Sequence, residues 1–345
     1  MKHSLRTTLA LASAVALGIA GSRAAVADTV ADFYAGATVR VIVPASLGGS
    51  IGLYGSLLAD HIGRHIPGKP AVVVQSMPGG GGVRALTWAF NAGPKDGSAI
   101  SQVLSPALAA PALRGAKFDP TRLYWLGTIS PRSSVIGVWH TAPVKTIEDV
   151  KQTEVVLGSG GVGSSTYIVP VMLNKMIGTK FKAVTGYAGG DTMNKAMESG
   201  EVHGRYNFWT GWTTRKPDWL RDNKVRILVQ IGPKIPELPE VPSTVDLVSD
   251  PDHKRMFRFM EISEQVGLGF WVPEEVPDER RTALRKAFMD TMKDTVFLAA
   301  AEKRRAPVVP VDGEKLAQVV ENSLDISPAL VEQLKAMVGF DQKKK

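Results

Sequence analysis

Two glycine-rich turns near the start of the chain have the residue types of an anion-binding site. Residues 44–50 read Pro-Ala-Ser-Leu-Gly-Gly-Ser and follow a β-branched segment, and residues 76–82 read Ser-Met-Pro-Gly-Gly-Gly-Gly before a helical segment. Glycine has no Cβ, so a ligand can contact backbone N–H groups directly, and N–H groups at a helix start favour an anion. The turns predict a site for an anionic small molecule, with these candidates: Ser46, Gly48, Gly49, Ser50, Pro78, Gly79, Gly80, Gly81 and Gly82.

Two further turns of small residues occur in the second half of the chain. Residues 158–166 read Gly-Ser-Gly-Gly-Val-Gly-Ser-Ser-Thr, and residues 186–191 read Gly-Tyr-Ala-Gly-Gly-Asp. With two turns in each half, we expect all four to face a common cleft, which is a favoured place for a small ligand. Asp191 has an alternative role as a helix N-cap, which needs no ligand. The candidates from this half are Gly163, Ser164, Ser165, Thr166, Gly189, Gly190 and Asp191.

An aromatic segment, residues 206–212, reads Tyr-Asn-Phe-Trp-Thr-Gly-Trp. Rings beside polar groups are typical of a binding wall, in which Asn207 would give a directed hydrogen bond. Ordinary core packing explains the same residues equally well, and it is the favoured interpretation for Trp139 and Trp271.

The pattern Gly158-x-Gly160-x-x-Gly163 after a predicted strand matches the dinucleotide-binding fingerprint. That fingerprint also expects an acid at the end of the next strand, about 20 residues on. Here the next strand runs into Gly186 and Tyr187, so a loop for a small ligand is favoured. An NAD(P)-linked oxidoreductase is the less favoured alternative.

Other patterns do not indicate catalysis. His61 and His65 lie four apart on a helical segment, but the glutamate of His-Glu-x-x-His is missing and no third ligand is obvious, which favours a solvated helix face. The glycine turns contain no Gly-Lys-Ser/Thr, and the chain has no cysteine. We therefore expect no catalytic residue, no metal site and no cofactor.

The N-terminal residues predict export. Lys2 and Arg6 precede an apolar run at 9–20, and residues 25–27 read Ala-Val-Ala, which together form a secretory signal peptide over 1–27. The apolar run is short for a membrane span, so a retained anchor is the weaker alternative. Most of the net charge of +8 comes from this segment and the lysines at 343–345. We expect no nucleic-acid partner, because no segment clusters basic and aromatic residues.

Short apolar segments alternate with longer helical ones. Strands are predicted at residues 39–43, 71–74, 99–104, 135–139, 155–157, 181–185, 226–230 and 266–272, and helices at 53–66, 191–198 and 278–293. This alternation predicts an α/β fold with parallel sheets covered on both faces. Residues 118–128 and 249–261 are expected to connect the two halves.

Taken in order, these segments resemble the extracytoplasmic solute receptors of tripartite tricarboxylate transporters, over about residues 33–339. The first turn resembles the family's Pro-Phe-x-x-Gly-Gly-Ser/Thr segment, and residues 72–82 resemble its Val-Val-x-Asn-x-Pro-Gly-Ala-Gly-Gly segment. Residues 94–97 resemble its Pro-x-Asp-Gly turn, and residues 238–243 stand where the family has Leu-Pro-Asp-Val-Pro-Thr. The turns of the second half are similar to those of the family's second domain. Their common order and spacing carry the resemblance.

The resemblance implies a type II periplasmic binding protein of two doubly wound α/β domains with a ligand cleft between them. It implies a first domain from residues 28–131 and 263–345, and a second domain from 132–262. Ligands of the family are typically carboxylates, often dicarboxylic or tricarboxylic acids and sometimes aromatic acids or other small molecules. They are held by loop N–H groups, hydroxyls and ordered water rather than by an arginine clamp. We therefore expect a monomeric periplasmic receptor, not an enzyme, that delivers a carboxylate to integral-membrane transporter subunits.

One departure from the family bears on the ligand. The first turn continues Gly49-Ser50-Ile51-Gly52, where the family commonly has an aspartate that can serve an amino acid. An uncharged loop disfavours an ammonium group, and the aromatic segment then favours a larger or aromatic carboxylate. A periplasmic sensor-input protein of the same fold is the alternative, because a fold does not fix its function.

Overall fold

The computed structural model describes residues 29–339 apart from Ser46, Gly49, Gly163 and Ala188, so the expected signal peptide and the terminal lysines lie outside the described residues. No helix in the described range is long and apolar enough to cross a membrane. The first part of the chain forms α1 (Thr29–Tyr34), β1 (Thr38–Val43), α2 (Ser50–Ile62), β2 (Ala71–Ser76), α3 (Val83–Asn91), β3 (Ala99–Gln102), α4 (Ala110–Arg114) and β4 (Leu123–Thr128).

The middle of the chain forms β5 (Ser134–Trp139), β6 (Val155–Ser159), α5 (Ser165–Ile177), β7 (Phe181–Thr185), α6 (Gly190–Glu198), β8 (Gly204–Phe208), α7 (Trp209–Thr213), α8 (Pro217–Arg221), β9 (Val225–Ile231) and α9 (Pro251–Met260). The last part forms α10 (Ile262–Val266), β10 (Gly269–Pro273), α11 (Asp278–Thr291), α12 (Thr295–Lys303), β11 (Val311–Asp312), α13 (Gly313–Leu324) and α14 (Pro328–Val338).

The strands form two separate mixed sheets. The first sheet has the order β11-β4-β10-β3-β1-β2, and the second has the order β7-β6-β8-β5-β9. The expected parallel pairing holds for β1 with β2 and β3, and for β6 with β7 and β8. It is wrong for β10 and β5, which run antiparallel to both of their neighbours. The chain reaches each of these strands directly from the other domain. A helix that crosses over the strand's own sheet, which would make the strand parallel to its neighbour, is therefore not needed.

Two short connections link the sheets, and they bond to each other. One joins β4 to β5, and the other runs from α10 into β10. The amide of Ile129 donates to the backbone carbonyl of Leu268 at 3.2 Å, and the amide of Leu268 donates to that of Ser130 at 3.1 Å. The amide of Arg132 donates to the backbone carbonyl of Glu264 at 2.8 Å. The expectation that residues 118–128 and 249–261 connect the halves is wrong, since they contain β4 and α9. The crossover lies just beyond each segment.

Each sheet has its own core. The first packs α2 and α11 against its strands, with Leu57, Phe270 and Phe288 fully buried. The core of the second sheet includes Leu157 of β6 and Met172 of α5. Side chains of α14 belong to this second core, although the helix lies at the end of the chain. The arrangement is that of two α/β domains, as predicted, whereas the exact domain limits stay a prediction.

Candidate functional site

A cavity of about 800 Å³ is lined by residues from both sheets. Its first-sheet wall comes from the turn before α2, from α2 itself and from the segment after α12. Its second-sheet wall comes from α6, β8 and α7, and residues 130–132 of the crossover also line it. The lining residues include Gly48, Tyr54, Arg132, Gly190, Asp191, Asn194, Arg205, Asn207, Phe208, Arg215, Arg304 and Arg305.

Arg205 is the central charged group of the second-sheet wall. It lies within β8 and is 7% exposed. Its Nη1 donates to the Gly190 carbonyl at 2.6 Å and to Asn194 Oδ1 at 2.9 Å, and its Nη2 donates to Asn207 Oδ1 at 2.7 Å. Burial lowers the pKa of Arg205 to about 10, an effect that attraction to Asp191 opposes, so the guanidinium is still charged at neutral pH.

Glycine at position 190 is a condition for this arrangement. A Cβ built on Gly190 would lie 2.7 Å from Nη1 of Arg205 and 3.0 Å from Nη2, inside normal contact distance. The first residue of α6 therefore has to be small for the guanidinium to reach its carbonyl. Asn207, two residues along β8 from Arg205, points the same way because alternate residues of a strand share a face.

A second arginine lies at the crossover between the sheets. The guanidinium carbon of Arg132 is 4.1 Å from the centre of the Phe208 ring, a cation–π contact. Burial lowers the pKa of Arg132, while attraction to Tyr54, Glu264 and Tyr206 opposes that shift. Two guanidiniums are thus held next to the cavity by residues of one strand end, Arg205 by Asn207 and Arg132 by Phe208.

A buried acid lies behind Arg132. The Tyr206 hydroxyl donates to Glu264 Oε1, and the Ser134 hydroxyl lies 3.3 Å from the same oxygen. Burial is the main cause that raises the pKa of Glu264 to about 8. Glu264 is therefore mostly protonated at neutral pH, and it does not add a full negative charge to the cavity wall.

The structure brings four predicted site residues to the cavity: Gly48, Gly190, Asp191 and Asn207. Ser46, Gly49 and Gly163 lie outside the described residues, and Ser50 begins α2. The other candidates are not among the described residues that line this cavity: Pro78, Gly79, Gly80, Gly81, Gly82, Ser164, Ser165, Thr166 and Gly189. Their part in ligand binding stays a prediction.

The four-glycine turn has a conformational reason for its composition. Gly79, Gly80 and Gly82 have positive φ values of 138°, 58° and 93°, and the amide of Gly82 donates to the Gly79 carbonyl at 3.0 Å. A Cβ on Gly82 would lie 2.5 Å from Cβ of Leu104. Backbone strain and close packing therefore explain these glycines without a ligand.

The hydroxyls of the turn before α5 bond to that turn. Ser164 Oγ donates to the Gly161 carbonyl at 2.7 Å, and Thr166 Oγ1 accepts from the Gly160 amide at 3.1 Å. Thr166 Oγ1 also lies 2.9 Å from Ser159 Oγ. This network shapes the loop, and an incoming ligand would have to exchange some of these bonds.

The N-cap interpretation of Asp191 is wrong. Gly189 precedes α6, and Thr192 Oγ1 accepts from the Gly189 amide at 3.3 Å and donates to its carbonyl at 2.8 Å. Asp191 lies in the first turn of α6, where the helix dipole favours a carboxylate. It is the acidic residue on the second-sheet wall of the cavity.

The aromatic segment divides between wall and core. Phe208 lines the cavity, but Trp212 is fully buried in a cluster with Trp219 and Val225, and Trp209 packs against that cluster. The wall interpretation is therefore wrong for Trp212, because α7 turns its ring inward. Trp271 is fully buried, as predicted.

The sequence favoured a solvated helix face for His61 and His65, and this prediction is wrong. His61 is buried, with Nδ1 2.9 Å from the Leu57 carbonyl and its ring edge-on to Phe297 at 5.6 Å. His65 Nε2 lies 2.8 Å from Asp294 Oδ2. The two rings therefore have separate structural partners.

Sequence reasoning missed the arginines of the cavity. Arg205 carried no usable signal, because its segment Gly204–Phe208 is too polar to be predicted as a strand and its burial is visible only in the structure. Arg132, Arg304 and Arg305 also carried none, since they come from a crossover and from a loop far away in the chain.

The sequence model of the tripartite tricarboxylate transporter family receptor matches residues 58–336. The chain belongs to that receptor family. The chain is similar to the UPF0065 protein in gbd 5'region of Cupriavidus necator, to which it is 25% identical over 257 residues. The match covers 71% of this chain and 74% of that protein.

Solved structures show the same fold. A TctC solute binding protein from Polaromonas, without ligand, has a TM-score of 0.66 and 18% identity, and the match covers 87% of this chain and 98% of that one. MatC from Rhodopseudomonas palustris, with bound malate, has a TM-score of 0.57 and 19% identity, with the same coverage of 87% and 98%. The receptors of this family are periplasmic solute-binding proteins, so the predicted family and fold class are confirmed.

Proposed function

We propose that this receptor captures a small organic anion, a carboxylate, in the periplasm and delivers it to the membrane subunits of a tripartite tricarboxylate-type transporter. The observation that carries the proposal is the cavity between the sheets, whose inner wall holds the charged guanidinium of Arg205. A concave site with a few convergent polar groups is the usual form of a small-ligand site. Malate in the related MatC is the kind of solute we propose here.

Two kinds of group would hold the carboxylate. The start of α6 offers backbone N–H groups and the positive end of its dipole at Gly190 and Asp191. Arg205 adds a fixed cation on the same wall, and charge-assisted hydrogen bonds to a carboxylate are stronger than neutral ones. The grip by loop N–H groups, hydroxyls and water, which the resemblance implied, is therefore extended by an arginine in this proposal.

Ligand binding would bias a hinge between the domains. The cavity is lined from both sheets, while the connections between them are two short paired segments at Ile129–Arg132 and Glu264–Leu268. A ligand that contacts both walls stabilises a closed arrangement over an open one. We propose that the closed form is the one presented to the transporter, and that residues 1–27 direct export and are then removed.

The test starts from the exported protein. We expect native mass spectrometry of protein from a periplasmic extract to show a copurified organic anion, and calorimetric titration of the ligand-free protein to show saturable binding of at least one acid. The panel comprises malate, succinate, adipate, citrate and benzoate, with lysine as the cationic control. Binding of lysine with no response to any carboxylate would contradict the proposal.

A further inference from the structure

A second cavity, of about 600 Å³, adjoins the candidate site. Its first-domain wall consists of α12 and the segment that follows it, and its second-domain wall consists of Thr213, Thr214 and Pro217, where α7 ends and α8 begins. Four residues line both cavities: Thr214, Arg305, Ala306 and Pro307. The two cavities therefore share a border, and a solute in the first can extend into the second.

The wall of the second cavity is mainly apolar. Leu298 and Ala301 contribute to it from α12, and Val308 contributes from the segment after that helix. The charged residues Glu302 and Arg305 also line the cavity, but both are exposed, so water can solvate them. A solute group that enters this cavity would bury apolar surface, and the burial of apolar surface is favourable.

The spacing of residues on α12 explains why apolar groups face the cavity. Phe297 is fully buried in the core of the first sheet, whereas Leu298 is 39% exposed and lines the cavity. Leu298, Ala301 and Glu302 follow at i, i+3 and i+4, which places them on one face of the helix. Leu298 therefore presents apolar surface that the fold itself leaves partly uncovered.

Hydrogen bonds hold the border between the two cavities in place. The Tyr54 hydroxyl donates to the Pro307 carbonyl at 2.9 Å, and the amide of Ala306 donates to the Ala301 carbonyl at 2.9 Å. On the second-domain side, the Thr214 hydroxyl donates to the Thr210 carbonyl at 2.5 Å, so it needs no partner from a solute. The apolar cavity thus has a fixed position beside the polar cavity that contains Arg205.

We propose that the second cavity is a tail subsite, and that the solute of this receptor is a carboxylate with an apolar tail. The carboxylate would face Arg205 and the start of α6, and the tail would pass Ala306 and Pro307 to contact Leu298 and Val308. This use of the second cavity rests on the proposed function and adds to it the chemical class of the solute.

A series of linear monocarboxylates tests the tail subsite. Butanoate, hexanoate, octanoate and decanoate share the head group and differ only in the length of the tail. For the wild type we expect the affinity to rise by ~2- to 4-fold per methylene group until the cavity is filled, so that octanoate binds at least ~10-fold more tightly than butanoate. Suberate has the length of octanoate but ends in a second carboxylate. It should bind more weakly than octanoate, because a charged group is unfavourable in an apolar cavity.

Two variants of α12 assign the effect of the tail to the second cavity. Leu298→Gln places a polar group of similar size in the wall, and it is expected to reduce the preference for octanoate over butanoate to within ~3-fold. Val296→Gln is the matched control, because Val296 lies on the same helix, is 54% exposed and is not among the described residues that line either cavity. It is expected to keep the wild-type preference. Both positions are exposed, so we expect both variants to fold.

The outcomes distinguish the tail subsite from the function on which it rests. A wild-type protein that binds butanoate and octanoate equally, or suberate more tightly than octanoate, would overturn the tail subsite and leave the receptor function standing. The same conclusion follows if Leu298→Gln keeps the full preference, or if Val296→Gln loses it as well. If the wild type binds no organic acid at all, the proposed function fails and the tail subsite fails with it.

Discussion

Replacing Glu264 by glutamine tests how the buried acid at the crossover affects stability. Glu264 is 2% exposed, accepts a hydrogen bond from Tyr206, and lies near Ser134, Glu261 and Arg132. Burial raises the pKa of its carboxyl from 4.5 to about 8. Glutamine keeps the shape and the acceptor oxygen for Tyr206, but it does not titrate.

The sign follows from the direction of the pKa shift. Between pH 4.5 and about 8 the folded protein keeps a proton that the unfolded chain releases, so the free energy of unfolding falls as pH rises through that window and levels off above it. At about 1.4 kcal/mol per pKa unit, Glu264 accounts for a loss of up to ~5 kcal/mol. Glu261, whose pKa burial raises to about 7, adds a smaller loss over a lower window.

Urea unfolding from about pH 5 to about pH 9 measures this loss. We expect wild type and Glu264→Gln to be close at the acidic end, and the variant to be more stable by several kcal/mol at the basic end. Glu237→Gln, at an exposed position, is the control and should follow the wild-type profile. Parallel profiles for wild type and Glu264→Gln would refute the reasoning, because they would mean that Glu264 releases its proton equally easily in both states.

Three further changes test local parts of the structure and the site. Gly82→Ala should cost ~2–4 kcal/mol in unfolding free energy, since it combines positive φ with a close approach to Leu104, whereas Gly115→Ala, with positive φ and open space, should cost only ~1 kcal/mol. Equal losses of unfolding free energy for Gly82→Ala and Gly115→Ala, measured by thermal or urea unfolding, would contradict the role of close packing at Gly82. Asp294→Ala should cost ~1 kcal/mol by removing the N-cap of α12 and the partner of His65, and an unchanged midpoint would contradict that role. Arg205→Met should weaken binding of a carboxylate ligand by ~10-fold or more, as measured by titration calorimetry, because it removes the fixed cation of the cavity wall.

Much of the local structure was predictable from the sequence. The predicted strands at 39–43, 135–139 and 181–185 coincide with β1, β5 and β7, and the helix predicted at 278–293 contains α11. These elements follow from apolar periodicity and from β-branched residues, which act within a few residues of each other. Strand β8 was missed because Gly204-Arg205-Tyr206-Asn207-Phe208 is too polar to read as a strand from its composition.

The site was predictable only where it depends on local turns. Gly48, Gly190, Asp191 and Asn207 were among the candidates and do line the cavity. The burial of Trp212 and His61 was not predictable, because a single tryptophan or histidine is compatible with a buried or an exposed position, and packing partners from distant parts of the chain decide which it takes.

By itself, the sequence determined the class of the protein, the family resemblance, most of the strands and the glycine turns, because each of these depends on residues that are near each other along the chain. Only the tertiary structure decided that β5 and β10 run against their neighbours and that Arg132, Arg205 and Arg305 meet at one cavity. Those arginines come from a crossover, a strand and a loop after a helix. Their meeting depends on how two sheets pack and connect, which no local pattern of residues encodes.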